Sequence, residues 1–303
     1  MHASPVRVLL FHNPDAGDRE LSRTELSSRL ADAGHQATYR SIDDADWQDA
    51  LGTADAELIA VAGGDGAVRK VLLAAGEAGD RRPFAILPIG TANNVARTLG
   101  LIGPMSEVLD AWAPPNGRPF DIGWVEAGKE RRSFVEAVGG GLFAELISHG
   151  KKVIEGPDLL GHALDRSLVV LRGLLTDARP TRLGLSLDGT DLSGDYLGIE
   201  ALNTRFAGPN VALSPGADPA DGQLDLVLIR PDDRDGLLAY VDDRLAFGEA
   251  VLPELVMRRG REGRLSPPER WPLHVDDRPW EPREMAPIRV GITAAAITIL
   301  GRS

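Results

Sequence analysis

Apolar runs alternate with helix-like patterns through the first part of the chain. Residues 6–11, 57–62 and 83–88 are short, mostly apolar runs, as expected of strands covered on both faces of a sheet, and residues 35–40 predict another strand. Between these runs apolar side chains recur at helical spacing, in the sets Leu26, Leu30 and Ala33, then Val68, Val71, Leu72 and Ala75, then Val95 and Leu99. The alternation predicts a layered α/β domain with a parallel sheet over residues 1–122.

The pattern changes in the second half. Residues 181–187 alternate leucine with smaller or polar residues, and Asp188-Gly189 is a hairpin turn signal. Further strand-like runs follow at 195–203, 223–229 and 271–277, while leucines at 164, 168, 171 and 175 form one helical stripe. These patterns predict a mainly antiparallel β domain over residues 123–287, after a boundary rich in turn formers at 113–119. The strand-like tail at 288–303 is expected to return to one of the two domains.

Composition narrows the classes of protein. The chain has 303 residues, 43% hydrophobic, and its lack of cysteine excludes disulfides, thiolate zinc sites and cysteine nucleophiles. The formal net charge of −12 argues against broad nucleic-acid binding, which needs a positive surface. The N-terminus has no basic segment followed by an apolar stretch, and no window reaches the ~20 apolar residues of a membrane span. We therefore expect a cytoplasmic protein.

Residues Gly63, Gly64, Asp65 and Gly66 stand between a predicted strand and a predicted helix. Ligands bind open α/β sheets beyond the carboxyl ends of the strands, and glycine lets a phosphate approach the main chain at a helix N-terminus. Asp65, itself an anion, suits a Mg²⁺ or a hydroxyl group of ribose or substrate better than a phosphate. The alternative is a tight connection in which Asp65 is the N-cap of its helix.

Residues 88–94, PIGTANN, predict a second turn of the same kind. Thr91, Asn93 and Asn94 offer hydroxyl and amide groups for phosphate or sugar oxygens, although Asn93 or Asn94 could simply cap the next helix. Two such turns at one edge of a sheet favour a nucleotide. The Walker pattern is absent, so we expect a mode of phosphate binding that differs from that of P-loop enzymes. The central hypothesis is that the two bends, at 63–66 and 90–93, lie side by side.

Five segments resemble the diacylglycerol kinase catalytic family, which includes bacterial lipid kinases and sphingosine kinases and is more distantly related to NAD kinase. In chain order they are HNPDAG, VAGGDGAVRKVL, LPIGTANNVARTLG, FDIGWVEA and LSPGADPADGQLDLVLI. The resemblance implies an α/β nucleotide domain followed by a β-sandwich domain for the lipid. It also implies Mg²⁺-dependent transfer of the γ-phosphoryl group of ATP to a lipid hydroxyl, such as that of diacylglycerol, during transient contact with a membrane surface.

The resemblance also implies residue roles. The nucleotide-binding set is Asn13, Gly17, Ser41, Gly63, Gly64, Asp65, Gly66, Ala67, Gly90, Thr91 and Asn93. Asp121 matches a functional aspartate of the family, and Asp65 is assigned to catalysis as well as to binding. Asp218, Asp221 and the Gln223 main chain resemble a structural Mg²⁺ loop.

Three positions depart from the family pattern. Ala67 replaces a threonine, Asn94 replaces an aspartate, and Arg278 stands where the family has a glutamate placed to accept the hydroxyl proton. Arginine cannot act as a base at working pH, so Asp276, Asp277 or Glu281 is expected to take that role.

Two alternatives therefore stay open, namely an NAD kinase-like enzyme with a soluble substrate, and a catalytically impaired protein that binds lipid or nucleotide. The identity of the lipid, the choice of ATP over GTP and the oligomeric state, with a homodimer as one option, stay open too.

Overall fold

A computed structural model describes residues 6–17, 21–112, 117–154, 163–284 and 286–301, with side chains omitted for 150–154. The chain forms two compact units, the first made of Met1–Phe120 and Ala295–Ser303, the second of Asp121–Ala294. The turn-rich stretch predicted at 113–119 falls partly outside the described residues, which omit 113–116.

The first unit alternates strands and helices. In chain order these are β1 Val6–His12, α1 Arg23–Asp32, β2 His35–Ser41, β3 Leu58–Gly63, α2 Asp65–Glu77, β4 Phe84–Pro88, α3 Asn94–Thr98 and α4 Met105–Asp110. The strands are parallel, in the order β2-β1-β3-β4. Both β3 and the last five residues of β1 are buried along their length, because helices cover the sheet.

The second unit is rich in sheet. Its elements are β5 Gly117–Ala127, which starts in the first unit, β6 Glu130–Phe134, β7 Ala137–Gly141, α5 Leu142–Ile154, α6 Ala163–Asp177, β8 Thr181–Leu187, β9 Thr190–Asp191, β10 Gly194–Tyr196, β11 Gly198–Leu202, β12 Leu224–Ile229, α7 Arg234–Phe247, β13 Val256–Gly260, β14 Glu262–Ser266, β15 Leu273–Val275, β16 Arg278–Trp280 and β17 Ile288–Leu300, whose end belongs to the first unit.

An antiparallel sheet of this unit has the order β13-β12-β11-β7-β15-β16. One of its faces shares an apolar core with β5, β6, β8, β14 and the start of β17, and the opposite face is covered by α5, α6 and α7. Alternate residues of β11 therefore enter different cores, Ile199 on the first face and Leu202 on the second.

The predicted fold class, an α/β domain followed by a β-sandwich domain, is confirmed. The Asp188-Gly189 turn joins β8 to β9 as predicted, with positive φ at both residues. The helices α5 and α7 were not predicted. The buried side chains of α7 do recur at helical spacing, at Leu237, Tyr240 and Val241. The strand predicted at 195–203 is instead two strands, β10 and β11. None of the helices within the described residues is long and apolar enough to cross a membrane.

Candidate functional site

The parallel strands of the first unit bring their carboxyl ends to one edge of the sheet. In register, His12 at the end of β1 lies beside Ser41 of β2 and beside Ala62 of β3, and Gly63 lies beside Pro88 of β4. The loops that follow these strands therefore start from a common edge. Strand order reverses around β1 and β3, which is where doubly wound sheets bind ligands.

The two glycine-bearing turns lie side by side, as the central hypothesis requires. A Cβ atom placed on Gly64 would lie 3.2 Å from the Cα of Gly90, and one placed on Gly90 would lie 2.8 Å from the Gly64 nitrogen. A third loop joins them, because a Cβ atom on Gly17, where φ is +58°, would collide with the carbonyl oxygen of Ile89. Main chain thus approaches main chain with no room for side chains, which leaves peptide groups to line this edge.

Asp65 links the first turn to the second. The helix α2 begins at Asp65, and Gly64 occupies the N-cap position, so the interpretation of Asp65 as the N-cap of its own helix is wrong. Its Oδ1 atom instead accepts a hydrogen bond of 3.0 Å from the main-chain amide of Val95 in α3. The carboxylate therefore stabilises the N-terminus of the next helix and lies between the two turns.

Asn93 stabilises the second turn from within. Its Oδ1 accepts from the Gly90 amide at 3.0 Å, its Nδ2 donates to the Gly90 carbonyl at 2.6 Å, and its main chain is left-handed with φ of 53°. Asn93 occupies the N-cap position of α3, as the alternative had it, but its side chain makes no capping hydrogen bond and instead holds the turn closed. Thr91 is exposed at the tip of the turn, which leaves its hydroxyl accessible to a ligand.

The other predicted positions of this unit surround the same edge. Asn13 accepts the Asp15 amide at its Oδ1, and Ser41 accepts the Asp43 amide at its Oγ, so both side chains shape their own loops. Ala67 is buried, and a Cβ atom on Gly63 would lie 2.6 Å from the Ala67 methyl group. Gly66 is half-buried within the first turn of α2.

His12 is buried at the end of β1, beside these loops. Its Nδ1 atom lies 3.0 Å from the Tyr39 hydroxyl. Burial lowers the pKa of His12, against a smaller opposing effect of Asp43. The ring is therefore held mainly in its neutral form.

In the second unit, Asp121 anchors the predicted Mg²⁺ loop. Asp121 is fully buried; its Oδ2 accepts from the Gly222 amide at 2.7 Å and its amide donates to the Pro219 carbonyl at 2.6 Å. Asn203, a residue outside the predicted site, donates through Nδ2 to the carbonyls of Asp121 and Val135, both at 2.9 Å. The functional aspartate implied by the resemblance and the loop at 218–223 are thus one hydrogen-bonded assembly.

The loop itself offers oxygen ligands. Asp218 Oδ1 accepts from the Ala220 amide at 3.2 Å and Asp221 Oδ1 accepts from the Gln223 amide at 2.9 Å. Burial raises the pKa of Asp221, with Asp225 and Asp218 adding to the rise. Carboxylate and carbonyl oxygens are the donors that Mg²⁺ takes, so the set fits this ion. Within the described residues no three His, Cys, Asp or Glu side chains form a group that could hold a metal, so main-chain oxygen or water would complete the shell.

An ion pair between a buried aspartate and an exposed arginine lies beside this loop. Asp225, which is 1% exposed, accepts from Arg259 Nε at 2.9 Å, and Arg259 Nη2 donates to the Gly216 carbonyl at 2.6 Å. Neither residue belongs to the site predicted from the sequence. The available signal was an aspartate inside the otherwise apolar run of β12, since a buried carboxylate requires a partner.

The three carboxylates considered as proton acceptors differ in their surroundings. Asp276 is buried, and its Oδ1 accepts from the amides of Val135, Glu136 and Ala137 at 3.1, 2.8 and 3.2 Å. Asp277 and Glu281 are both exposed, and Asp277 Oδ1 lies 4.0 Å from Arg278 Nε. Asp276 therefore serves as an anchor for its turn, while Asp277 and Glu281 face solvent.

Comparison with known proteins identifies both parts of the chain. Residues 7–125 match the family described as "Diacylglycerol kinase catalytic domain", and residues 158–301 match the "YegS C-terminal NAD kinase beta sandwich-like domain". Together the two matches take in most of both units.

Curated relatives have related names. A protein of Bacillus subtilis (strain 168) named "Diacylglycerol kinase" is 28% identical over 236 residues, covering 74% of each chain. A protein of Pseudomonas aeruginosa (strain UCBPP-PA14) named "Probable lipid kinase YegS-like" is 27% identical over 302 residues, covering 96% of this chain and 93% of that relative. Among solved structures, a diacylglycerol kinase from Bacillus anthracis str. Sterne has a TM-score of 0.69 at 18% identity, covering 98% of this chain and 97% of the other, which shows a common fold.

Proposed function

Because this chain belongs to the family of the diacylglycerol kinase catalytic domain and carries a YegS-like C-terminal domain, we propose that it is a lipid kinase that uses ATP and Mg²⁺. In the reaction the γ-phosphorus of ATP forms a bond to a lipid hydroxyl oxygen. Its bond to the bridging oxygen of the departing ADP breaks, and the hydroxyl proton passes to a carboxylate or to solvent.

The observation that carries the proposal is the contact between Gly64 and Gly90 at the carboxyl edge of the first sheet. Such an edge suits the triphosphate of a nucleotide, because peptide N–H groups and the N-terminus of α2 favour negative charge. Thr91, exposed beside this contact, would add a hydroxyl donor. Asp65 would hold a Mg²⁺ on the phosphates, and Mg²⁺, when bound there, neutralises charge that develops during transfer.

The second unit would supply the other carboxylates. Asp218 and Asp221 would hold a structural Mg²⁺ and keep their loop on Asp121. Of the residues considered as proton acceptors, Asp277 and Glu281 are the better candidates, because the Asp276 carboxylate already accepts main-chain amides. Phosphoryl transfer depends chiefly on position and charge, so a modest base is sufficient.

The proposed acceptor is a lipid, which requires transient binding at a membrane surface, and the proposed location of the protein is the cytoplasm. The test is transfer of the labelled γ-phosphoryl group of ATP into vesicles of extracted lipid, with diacylglycerol and sphingoid bases as defined acceptors. We expect a Mg²⁺-dependent labelled phospholipid product. Absence of label from every neutral and sphingoid lipid tested would overturn the proposal.

A non-catalytic role is the second candidate, motivated by Arg278 beside Asp277 and by the anchored Asp276 carboxylate. It requires ATP binding without transfer to any lipid. In that case Arg278→Glu, which adds a carboxylate to the exposed turn, is expected to give activity.

An NAD kinase-like activity is the third candidate, because the name of the matching C-terminal family includes NAD kinase. A coupled assay for NADP⁺ formed from NAD⁺ and ATP tests it, and a positive result would overturn the lipid proposal.

A further inference from the structure

A glutamate and a histidine face each other across a glycine in the second unit. Gly139 of β7 is in register with Glu200 of β11 on one side and with His274 of β15 on the other. Residues opposite each other in antiparallel strands point to the same face, so both side chains lie over Gly139. A Cβ atom on Gly139 would collide with the Glu200 carboxylate. The glycine leaves the space in which the two side chains meet.

The pair is buried and its bonds are directional. Glu200 is 0% and His274 3% exposed, and His274 Nε2 lies 3.0 and 2.9 Å from the two carboxylate oxygens. His274 Nδ1 lies 2.8 Å from the Asp276 carbonyl oxygen. Because a carbonyl can only accept, Nδ1 carries a proton and donates it. The imidazole thus bridges Glu200 to the main chain of the turn that follows β15.

That turn is fixed at its other side too. The Asp276 amide donates to the Ala137 carbonyl at 2.8 Å, and the Asp276 carboxylate accepts from the amides of residues 135–137. Asp276 has a φ of 51°, a left-handed conformation that is rare for a residue other than glycine and needs such support. Hydrogen bonds to its carbonyl, amide and carboxylate together impose one conformation on the turn.

The segment at residues 135–137 also connects the turn to Asp121. Asn203 Nδ2 bridges the carbonyls of Val135 and Asp121. A continuous set of hydrogen bonds therefore runs from Glu200 through His274 and Asp276 to Val135, and on through Asn203 to Asp121. One end of this set is Asp121, which the resemblance implies is functional, and its interior holds Asp276, the residue next to the exposed Asp277.

We propose that Glu200 and His274 are positioning residues that fix the turn at residues 276–278 against residues 135–137, and so set the placement of the carboxylates of Asp277 and Asp121. The inference rests on the proposed kinase function for its effect on the reaction.

Net stability is a weak reason to keep such a pair, because burying two charged groups costs about as much free energy as their attraction returns. The directional bonds give what apolar packing would lack, a defined orientation of the Asp276 carbonyl. Burial lowers the pKa of His274, but the Glu200 carboxylate and, to a smaller degree, Asp276 together more than offset this, and the net shift is upward.

The test replaces the pair without leaving a lone buried charge. Glu200→Met combined with His274→Leu keeps the volume apolar, and such replacements commonly preserve the fold. Glu200→Met combined with His274→Asn is the conservative variant, since the asparagine amide nitrogen can take the place of Nδ1 and donate to the Asp276 carbonyl without leaving a buried charge. The matched control is Asp242→Asn, which removes the exposed pair of Asp242 with Arg172 on α7 and α6.

Two readouts are needed for each variant. Hydrogen exchange at the amides of residues 135–137 reports the turn itself, and steady-state kinetics with separate measurement of ATP affinity reports the reaction. In the double variant we expect exchange at these amides about 10-fold faster or more. We expect kcat to fall about 10- to 100-fold, because small misplacements of reacting groups carry such losses. ATP affinity and the KM for ATP should stay within about two-fold of wild type, since both depend on the first unit.

Glu200→Met with His274→Asn should recover part of both losses, and Asp242→Asn should change neither. The inference is overturned if the double variant keeps both its amide protection at residues 135–137 and its kcat. It is overturned too if the Asp242→Asn control loses as much protection and kcat as the double variant. Hydrogen exchange at these amides tests whether the pair positions the turn, and this test does not require that the wild-type protein transfers phosphate. Wild-type protein without transfer therefore counts against the proposed function alone.

Discussion

Gly64 and Gly90 are in main-chain contact, with only 3.2 Å between the Gly90 Cα and the place where a Gly64 side chain would begin. In Gly90→Ala the added methyl would meet the Gly64 nitrogen at 2.8 Å, so the two turns must separate. We expect ATP affinity to fall at least ~100-fold, because the peptide groups at this edge lose their common orientation. Calorimetric titration with ATP and Mg²⁺ measures the loss.

Gly76→Ala is the matched control for this variant. Gly76 lies in α2 with nothing within 4 Å of an added methyl group, and alanine favours helix. Stability should rise by up to ~1 kcal/mol and ATP affinity should not change. Tight ATP binding by Gly90→Ala would mean that the nucleotide does not depend on this contact.

The charge of Asp65 can be separated from its hydrogen bond to Val95. Asparagine keeps an oxygen acceptor for the Val95 amide but removes the charge, whereas alanine removes both. Asp65→Asn should therefore lose at least ~100-fold in kcat with its melting temperature nearly unchanged. Asp65→Ala should lose a further ~1 kcal/mol of stability. Thermal unfolding and phosphoryl transfer measured on both variants distinguish these effects, and an active Asp65→Asn would remove the residue from the reaction.

Asp221 should couple Mg²⁺ binding to the stability of the second unit. An ion that binds only the folded state adds ~2.7 kcal/mol when its free concentration is ~100-fold above its Kd. We expect Mg²⁺ to raise the melting temperature of the wild-type protein and to have much less effect on Asp221→Asn. Asp232→Asn, at an exposed carboxylate of the same unit, is the control. An equal Mg²⁺ effect in all three proteins would place the ion elsewhere.

His12 should make stability depend on pH below neutrality. Burial lowers its pKa, so the unfolded chain, with a pKa of ~6.5, binds the proton more readily than the folded protein. The free energy of unfolding should therefore fall as pH drops below ~6.5, and His12→Asn should reduce this fall. Urea unfolding at a series of pH values between about 5 and 8 gives the comparison. Parallel curves for the two proteins would contradict the prediction.

The glycine turns of the first unit were predictable because their signals are local. A glycine-rich stretch that follows a buried strand and precedes a helix must lie at the carboxyl edge of the sheet, and parallel strands bring all such stretches to the same edge. The inner role of Asn93 was not predictable in the same way. An asparagine beside a helix start can cap the helix or hold the preceding turn, and only the hydrogen bonds of its side chain to Gly90 decide between the two roles.

The second unit was less predictable because its site depends on distant pairs. Asp121 and Gly222 are 101 residues apart in sequence, and Glu200 and His274 are 74 apart. A single sequence shows each of these as an isolated polar residue in or beside an apolar strand, with several possible partners. The same limit applies to Asp276, whose role as an anchor depends on amides 139 to 141 positions away in the chain.

The strand β17 has a consequence for synthesis of the protein. Its last residues belong to the first unit, where Ile299 is fully buried and pairs in parallel with Phe84 of β4. The nascent chain therefore emerges from the ribosome with one edge of this parallel sheet uncovered until the last residues of β17 have been made. A fragment that ends at residue 120 would keep that edge open permanently, and exposed strand edges promote aggregation.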